Sequence, residues 1–445
     1  LYTVVMLNWI EIDATALRNN LELFREMIGN GVELAPVVKS NAYGHGMLTV
    51  TGLCQDLADR LCVNSLGEAA ALRQAGVELP VMVLGYVEQD DLPELVALNV
   101  QPVVSNLATL DRLAVETAKQ DRTVKVHLKA ETGTHRQGVA RREMQPFVEK
   151  ITTAPGLLLE GLSTHYANIE DTTDHSFAVA QIATFGAARK AVEEWHGGPV
   201  PVCHTACSAA TLLLQETHMD LVRVGIALYG LWPSRETLVS CREEGGDLPD
   251  LRPVMTWKSR IAQVRTVPEG SYIGYGCTYR TTRESNIAVL PVGYNEGYDR
   301  RLSGVGHVLV RGKRAPVRGR VCMNMTMVDV TDIPDAGLED EAVLLGRQDD
   351  EGISAEQLAG WCGTIPYEVV TRVTTSYGMV PHQLDSCSAL TRSSSWTPRS
   401  TASSSSATPE MSVTSTMVMF MQTRPRTGAR LPRISTCPTP DSRRS

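Results

Sequence analysis

The sequence predicts an α/β fold, an N-terminal (β/α)8 barrel of the TIM type, followed by a mainly β domain and a disordered, low-complexity tail. Three observations carry that prediction. Strand-like apolar runs alternate with helix-like segments through the first half of the chain. From about residue 253 the alternation gives way to short strands broken by Gly and Pro. From residue 376 the periodicity disappears.

The barrel runs are LAPVV (34–38), LCVNS (61–65), VMVLGY (81–86), QPVVS (101–105), VKVHLKA (124–130), LEGLSTH (159–165), PVCHTA (201–206) and LVRVGIALYG (221–230), eight in all. Between them LGEAAALRQAG (66–76), NLATLDRLAVETAKQ (106–120) and FAVAQIATFGAARKAVEEW (177–195) carry apolar residues at the 3.6 period of amphipathic helices. Ser65 and Asn106 stand where N-caps belong, and Gly76 where a helix ends. Eight alternations fit a closed barrel, and an open doubly wound sheet would show the same rhythm. The barrel is expected over residues 8–243, with the first strand, 8–13, free to join the next domain.

REEGGDLPD (242–250) reads as a linker. KSRIAQVRTV, SNIAVLPVGY, GHVLVRG, APVRGRVCM and MTMVDVTDI then read as strands of a β-rich domain over 250–375, with a short helix at SAEQLAGWCG (354–363). Residues 376–445 are rich in Ser, Thr, Pro and Arg, contain no lysine and cannot bury enough apolar surface to offset ordering entropy. The abrupt onset of this tail fits either a native low-complexity segment or translation in a shifted frame.

A net charge of −8 argues against a nucleic-acid-binding face. No apolar run approaches the roughly 20 residues that span a membrane. LYTVVMLNWIEID has neither the basic segment nor the cleavage site of a signal peptide, so a cytoplasmic protein is expected. The ten cysteines are scattered: Cys203 and Cys207 are the closest pair, no second pair sits at zinc-ligand spacing, and reduced thiols are expected. His165, His175 and the nearby acids give only a weak metal-site signal, the histidines being ten residues apart in a loop, and no metal is expected.

In a barrel of this type, catalytic groups gather at the C-terminal ends of the strands. Lys39, Arg136, His165, Ser208 and Arg223 all fall at such ends. Lys39, in VVKSNAYGHG (37–46), follows an apolar run that favours loss of its proton. A neutral amine there can form a Schiff base with an aldehyde.

That ten-residue run, WIEIDATALRNNL (9–21) and the motifs below resemble the alanine racemase family over residues 8–375. The resemblance implies that Lys39 holds pyridoxal 5′-phosphate (PLP) and acts as one of two bases. Tyr275, in GYGCTY (274–279), is implied as the second base, supplied by the partner subunit of a homodimer with shared active sites. KAETGTHRQG (129–138) places Arg136 near the substrate carboxylate and matches Lys129 to a lysine carbamylated in many members. STHYANIEDTTDH (163–175) supplies His165, which would hydrogen-bond the catalytic tyrosine. RVGIALYG (223–230) sets Arg223 against the pyridine nitrogen. Gly225 and Ile226 are implied to offer backbone N–H groups to the phosphate, and Tyr43 and Ser208 their hydroxyls. GRVCMNM (319–325) would bring Met323 to the substrate carboxylate.

Asn324 stands where the family usually has aspartate, GYNEGY (293–298) departs from its usual alanine–aspartate pair, and the expected ending after PYEVVTRV (366–373) is missing. Tyr377 is the nearest substitute for a phosphate-binding tyrosine expected there. The reaction implied is interconversion of L- and D-alanine for peptidoglycan. The rival readings are a broad-spectrum amino-acid racemase and a non-catalytic PLP-binding relative.

Overall fold

A computed structural model describes residues 7–374, apart from 244 and 246, and the backbone of Met379–His382. The strand β1 (Asn8–Asp13) precedes the helix Ala14–Ile28, which Asp13 caps by accepting from the Ala16 N–H. The barrel strands follow: β2 (Glu33–Leu34), β3 (Leu61–Val63), β4 (Val81–Val83), β5 (Gln101–Val104), β6 (Val124–Lys129), β7 (Leu157–Ser163), β8 (Val202–His204) and β9 (Leu221–Val222).

Strands β3 to β8 are parallel neighbours in sequence order, and β2 pairs parallel with β9. Backbone bonds close the ring at both seams. The Val38 N–H donates to the Cys62 carbonyl (2.8 Å), joining the end of β2 to β3. The Asp220 and Arg223 N–H groups donate to Cys203 and Ala206 (3.1 Å each), joining β9 to β8. The open-sheet alternative is thereby removed. The helices wrap outside, as their apolar spacing requires. Ser65 and Glu68 form a reciprocal capping box on Leu66–Gln74, and Asn106 caps Leu107–Gln120.

The second domain comprises β10 (Met255–Arg260), β11 (Gln263–Val267), β12 (Tyr272–Ile273), β13 (Tyr279–Arg280), β14 (Ser285–Leu290), β15 (His307–Val310), β16 (Lys313–Pro316), β17 (Thr326–Asp329), β18 (Glu341–Gln348) and β19 (Glu351–Ile353). One sheet runs β16-β15-β18-β10-β1, with β19 on β18. A second runs β11-β14-β17, and β12–β13 form a ribbon. β1 thus lies in the sheet of the second domain, antiparallel to β10, and Trp257 Nε1 donates to Asn8 Oδ1 (2.6 Å) across that pairing. Asn20 ties the domains, donating to Leu228 and Arg252 carbonyls and accepting from the Arg252 N–H.

Three expectations need correction. The linker read at 242–250 begins inside a helix, Arg235–Glu243. APVRGRVCM is strand only at its start, where Ala315 and Pro316 end β16. Gly319 lies at positive φ, and the rest of the run forms the turn that carries Met323. Four residues of the segment read as a structureless tail form a strand, β20 (Met379–His382), parallel to β1. β1 otherwise offers an open edge there, and an edge strand tolerates Pro381 because its N–H is not required by the sheet. The remainder of 376–445, with Tyr377, lies outside the described residues.

Candidate active site

A cavity of about 820 Å³ opens at the C-terminal ends of the barrel strands. Lys39, Tyr43, Lys129, Arg136, His165, Ser208, Arg223, Gly225 and Ile226 line it, drawn from segments almost 190 residues apart in sequence. Tyr275 and Met323 lie apart from it, on the β domain, and are 73% and 56% exposed.

Lys39 heads an unusual turn. Ser40, Asn41, Ala42 and Tyr43 all have φ between 52° and 55°, a left-handed run of four non-glycine residues that Gly44 ends. Such a conformation costs roughly 1–2 kcal/mol per residue, so its surroundings must hold it. The Ala42 N–H donates to Val38 (2.8 Å), the Gly46 N–H to Asn41 (2.9 Å), and the Met47 N–H to Asn41 Oδ1 (3.0 Å). Glu68 receives the Ser40 N–H (2.6 Å) with one oxygen and the Asn64 N–H (2.7 Å) with the other. The carboxylate that caps a helix therefore also fixes the lysine's turn. Burial, and next the Arg136 charge, lower the Lys39 pKa, which moves its amine toward the neutral, nucleophilic form.

Around the turn's far end is a cradle of donors. Ser208 Oγ accepts from the Gly225 N–H (2.9 Å) and the Ala227 N–H (3.3 Å). A Cβ on Gly225 would sit 2.7 Å from Tyr43 Oη, so only glycine fits beneath that hydroxyl. Tyr43 and Tyr367 rings lie 6.0 Å apart. Tyr367 comes from the helix Pro366–Arg372, near the end of the second domain, and the sequence alone does not place it in the site. Its signal was the PYEVVTRV motif, which was read for the ending that follows it. Glu170 was likewise passed over. Tyr367 Oη donates to both of its carboxylate oxygens at 3.1 Å.

Beneath the cavity, buried Arg223 points its guanidinium at the carbonyls of His204 (2.9 Å), Thr164 (2.8 Å) and Thr205 (3.1 Å), and at His204 Nδ1. Burial lowers its pKa, but a guanidinium stays charged in proteins and here has acceptors for its protons. Because arginine can only donate, His204 Nδ1 must accept. His204 Nε2–H then donates to His127 Nδ1 (3.0 Å), and His127 Nε2–H to Gln101 Oε1 (3.2 Å), which Arg60 also reaches (2.8 Å). Burial pushes the His127 pKa down to about 3 and that of His204 well below its usual value, so both rings stay neutral, as this order requires. Neither histidine was singled out, because each is embedded in an apolar strand run.

Lys129, at the end of β6, is half-buried, and burial followed by the charges of Arg223, Arg136 and Lys39 lowers its pKa to about 8. Its nearest recorded partner is Gln137 Oε1 at 3.5 Å. Burial and the charge of Arg223 likewise hold His165 well below its normal pKa, so it is neutral at pH 7.

On the β domain, Tyr275 sits in a short turn, Tyr275–Cys277, with Gly274 (φ 70°) and Gly276 (φ 74°) on either side. The backbone room of the glycines lets the ring stand out from the ribbon. Asn324 Nδ2 donates to buried Glu296 (2.6 Å), which also receives the Gly293 N–H (2.8 Å) and Asn295 Nδ2 (3.0 Å). The two departures from the family pattern are thus partners, joining the 293–298 turn to the loop of Met323.

The chain matches the family model "Alanine racemase, N-terminal domain" over residues 12–233 and "Alanine racemase, C-terminal domain" over 254–380. It is 41% identical to an alanine racemase of Halothermothrix orenii over 370 residues, 82% of this chain and 94% of that protein. Against an alanine racemase of Desulfovibrio desulfuricans it is 40% identical over 366 residues, 82% and 95% of the two chains. Among solved structures it resembles the alanine racemase of Streptomyces lavendulae, with a TM-score of 0.79, 34% identity and coverage of 85% and 97%. It also resembles the Bacillus anthracis alanine racemase with bound L-Ala-P, with a TM-score of 0.78, 36% identity and coverage of 85% and 95%.

Proposed function

This chain belongs to the alanine racemase family and is an isomerase, and we propose that it interconverts L- and D-alanine with PLP through two bases, Lys39 and the partner subunit's Tyr275. The observation that carries the reading is the cradle beside Lys39. Ser208, Tyr43 and Tyr367 supply hydroxyls, the Gly225 backbone lies bare, and the cavity leads from there to a lysine whose burial favours the neutral amine. A phosphate group attached to an aldehyde fits both ends of this arrangement. Tyr43, Ser208, Tyr367 and the N–H groups of Gly225 and Ile226 would hold the phosphate, Arg223 would face the ring nitrogen, and Lys39 would hold the aldehyde carbon. PLP, when bound, supplies the electron sink that acidifies the substrate Cα–H.

The chain's own residues do the remainder. Arg136 stands at the cavity wall, where a guanidinium can orient a carboxylate. Lys39 Nζ takes or returns the Cα proton on one face. Inversion needs a second proton carrier on the other face, and no second base of this chain need be forced into that position. The exposed Tyr275 hydroxyl, carried on a glycine-flanked turn, is suited to enter another subunit's cavity, with neutral His165 able to accept its hydrogen bond. Met323, on a similarly exposed loop, would accompany it toward the substrate carboxylate. The resulting enzyme is a homodimer, and its D-alanine would serve peptidoglycan synthesis in the cytoplasm. Lys129 is suited to carbamylation, because its lowered pKa frees the amine that adds to CO2. The Asn324–Glu296 pair joins an exposed asparagine to a buried carboxylate and ties the loop of Met323 to the 293–298 turn.

The test is incubation of the purified protein with PLP and L-alanine in D2O, followed by NMR and chiral separation. Loss of the Cα proton with accumulation of D-alanine is expected. Retained protium with no D-alanine would defeat the assignment.

A further inference from the structure

Among the described residues lining the cavity, Glu170 is the sole carboxylate, and it stands in the half that the preceding reading gives to a phosphate. Its place is built. Thr237 Oγ1 donates to its backbone carbonyl (3.2 Å), as does Ser234 Oγ, while Tyr367 Oη reaches both carboxylate oxygens at 3.1 Å. The titratable groups facing it are Tyr367, Cys207, whose thiol lies 3.9 Å away, Asp171 and Tyr43. None of these is a cation. Burial, the largest influence, raises its pKa, with the hydrogen bond from Tyr367 opposing and the charge of Asp171 adding.

A phosphate entering this cradle meets a conflict. Tyr43, Ser208 and the Gly225 N–H lie together, and the Tyr43 ring lies 6.0 Å from that of Tyr367. A phosphate held there and the Glu170 carboxylate would compete for one tyrosine hydroxyl. They would also repel, with little water between them to screen the charges. A carboxylate accepts only, whereas a carboxylic acid also donates. One proton on Glu170 therefore turns the repulsion into a hydrogen bond to a phosphate oxygen and releases Tyr367 to donate to the phosphate as well.

We propose that Glu170 is a phosphate-sensing latch: its carboxylate holds the Tyr367 hydroxyl in the cofactor-free protein and yields it, taking a proton from solvent, when the phosphate of PLP enters. The inference rests on the PLP reading of the site. It makes PLP binding weaken as pH rises through the range in which Glu170 loses its proton. Pyridoxal, which has the aldehyde and lacks the phosphate, is indifferent to the latch.

Calorimetric titration of cofactor-free protein at pH 8 tests this, using PLP and pyridoxal in two buffers of different ionisation enthalpy. Wild-type protein should take up protons with PLP beyond those seen with pyridoxal. Glu170→Gln, which puts a neutral amide of the same shape in place of the carboxylate, should abolish that excess. It should also tighten PLP binding by about tenfold or more, the equivalent of one pKa unit, and leave pyridoxal binding unchanged. Equal proton uptake for both aldehydes in wild-type protein, a measurement that needs no variant, would overturn the proposal. So would a Glu170→Gln protein that binds PLP no more tightly. If neither aldehyde binds either protein, the PLP reading itself fails and the latch with it.

Discussion

Two sets of tyrosines separate the barrel mouth from the β domain's outer ribbon. Tyr43 and Tyr367 lie in the barrel mouth, largely out of solvent, with Tyr43 against Gly225 and Tyr367 on Glu170. Tyr272 and Tyr275 stand 60% and 73% exposed, and Met323 and Met325, on another turn of the β domain, 56% and 54%. The first set packs against groups of its own chain, and Tyr367 bonds to one of them. The second leaves large apolar side chains in water, a pattern that marks contact surfaces. The difference teaches that chemical capability and completion are separable: the mouth has a buried amine, hydroxyls and the large cavity, and the ribbon presents an exposed phenol that lies outside that cavity.

The strongest way to break this comparison is to remove the proposed base from each region and mix the products. Lys39→Ala and Tyr275→Phe should each lower racemisation by about 10²–10⁴-fold, the usual worth of a positioned acid–base group. Unfolded and refolded together in equal amounts, the two variants should regain about a quarter of wild-type activity. Half of the two-fold dimers would be mixed, and each mixed dimer would have one site with both bases. No recovery would place both bases in one chain. Tyr275→Phe alone should still bind PLP, because the cradle belongs wholly to the mouth.

A smaller effect concerns Lys129. With a pKa of about 8, lowered chiefly by burial, its amine is neutral in about one molecule in ten at pH 7 and in about half at pH 8. Addition of CO2 to the amine, which releases a proton, should therefore grow with pH. Carbon NMR with labelled bicarbonate should show a carbamate signal that Lys129→Met lacks. The sign for stability is the reverse of a salt-bridged lysine. The folded protein bears the cost of the buried charge below pH 8 and is relieved as pH rises toward 10.5. Lys129→Met should accordingly raise Tm more at pH 7 than at pH 10.

The smallest expected effect sharpens the contrast with the barrel's outer ring. Asn106 accepts from the Thr109 N–H as the cap of Leu107–Gln120 and does not itself line the cavity. Asn106→Ala should cost about 1 kcal/mol of stability, read by denaturant titration, with kcat/KM unchanged.

The barrel was legible because its strands and helices carry their periods locally. The site residues at strand ends were legible for the same reason, since Lys39, His165 and Arg223 each end or follow an apolar run. Tyr367 was not legible as a mouth residue. It lies near the end of the second domain in sequence and reaches the cavity only because its helix folds back over the barrel, with the Val370 carbonyl close against Gly44. Closure of the ring was invisible for a related reason: it depends on the pairing of Val38 with Cys62 and of Arg223 with Ala206, between residues that no local pattern links. The left-handed turn was hidden too. Its four residues are Ser, Asn, Ala and Tyr, and only Asn is a residue type that favours positive φ.

The pairing of β1 with β10 also governs when the protein can finish folding. Asn8 and Trp257, which bond across that pairing, are 249 residues apart, with the whole barrel between them in sequence. At synthesis rates of about 5–20 residues per second, β1 emerges roughly 10–50 seconds before its antiparallel partner exists. During that interval a strand with buried Ile10 and Ile12 has no sheet to join, while the barrel behind it can already close. Nascent chains arrested before residue 255 should therefore display β1 to chaperones, and its docking should be among the last steps of maturation.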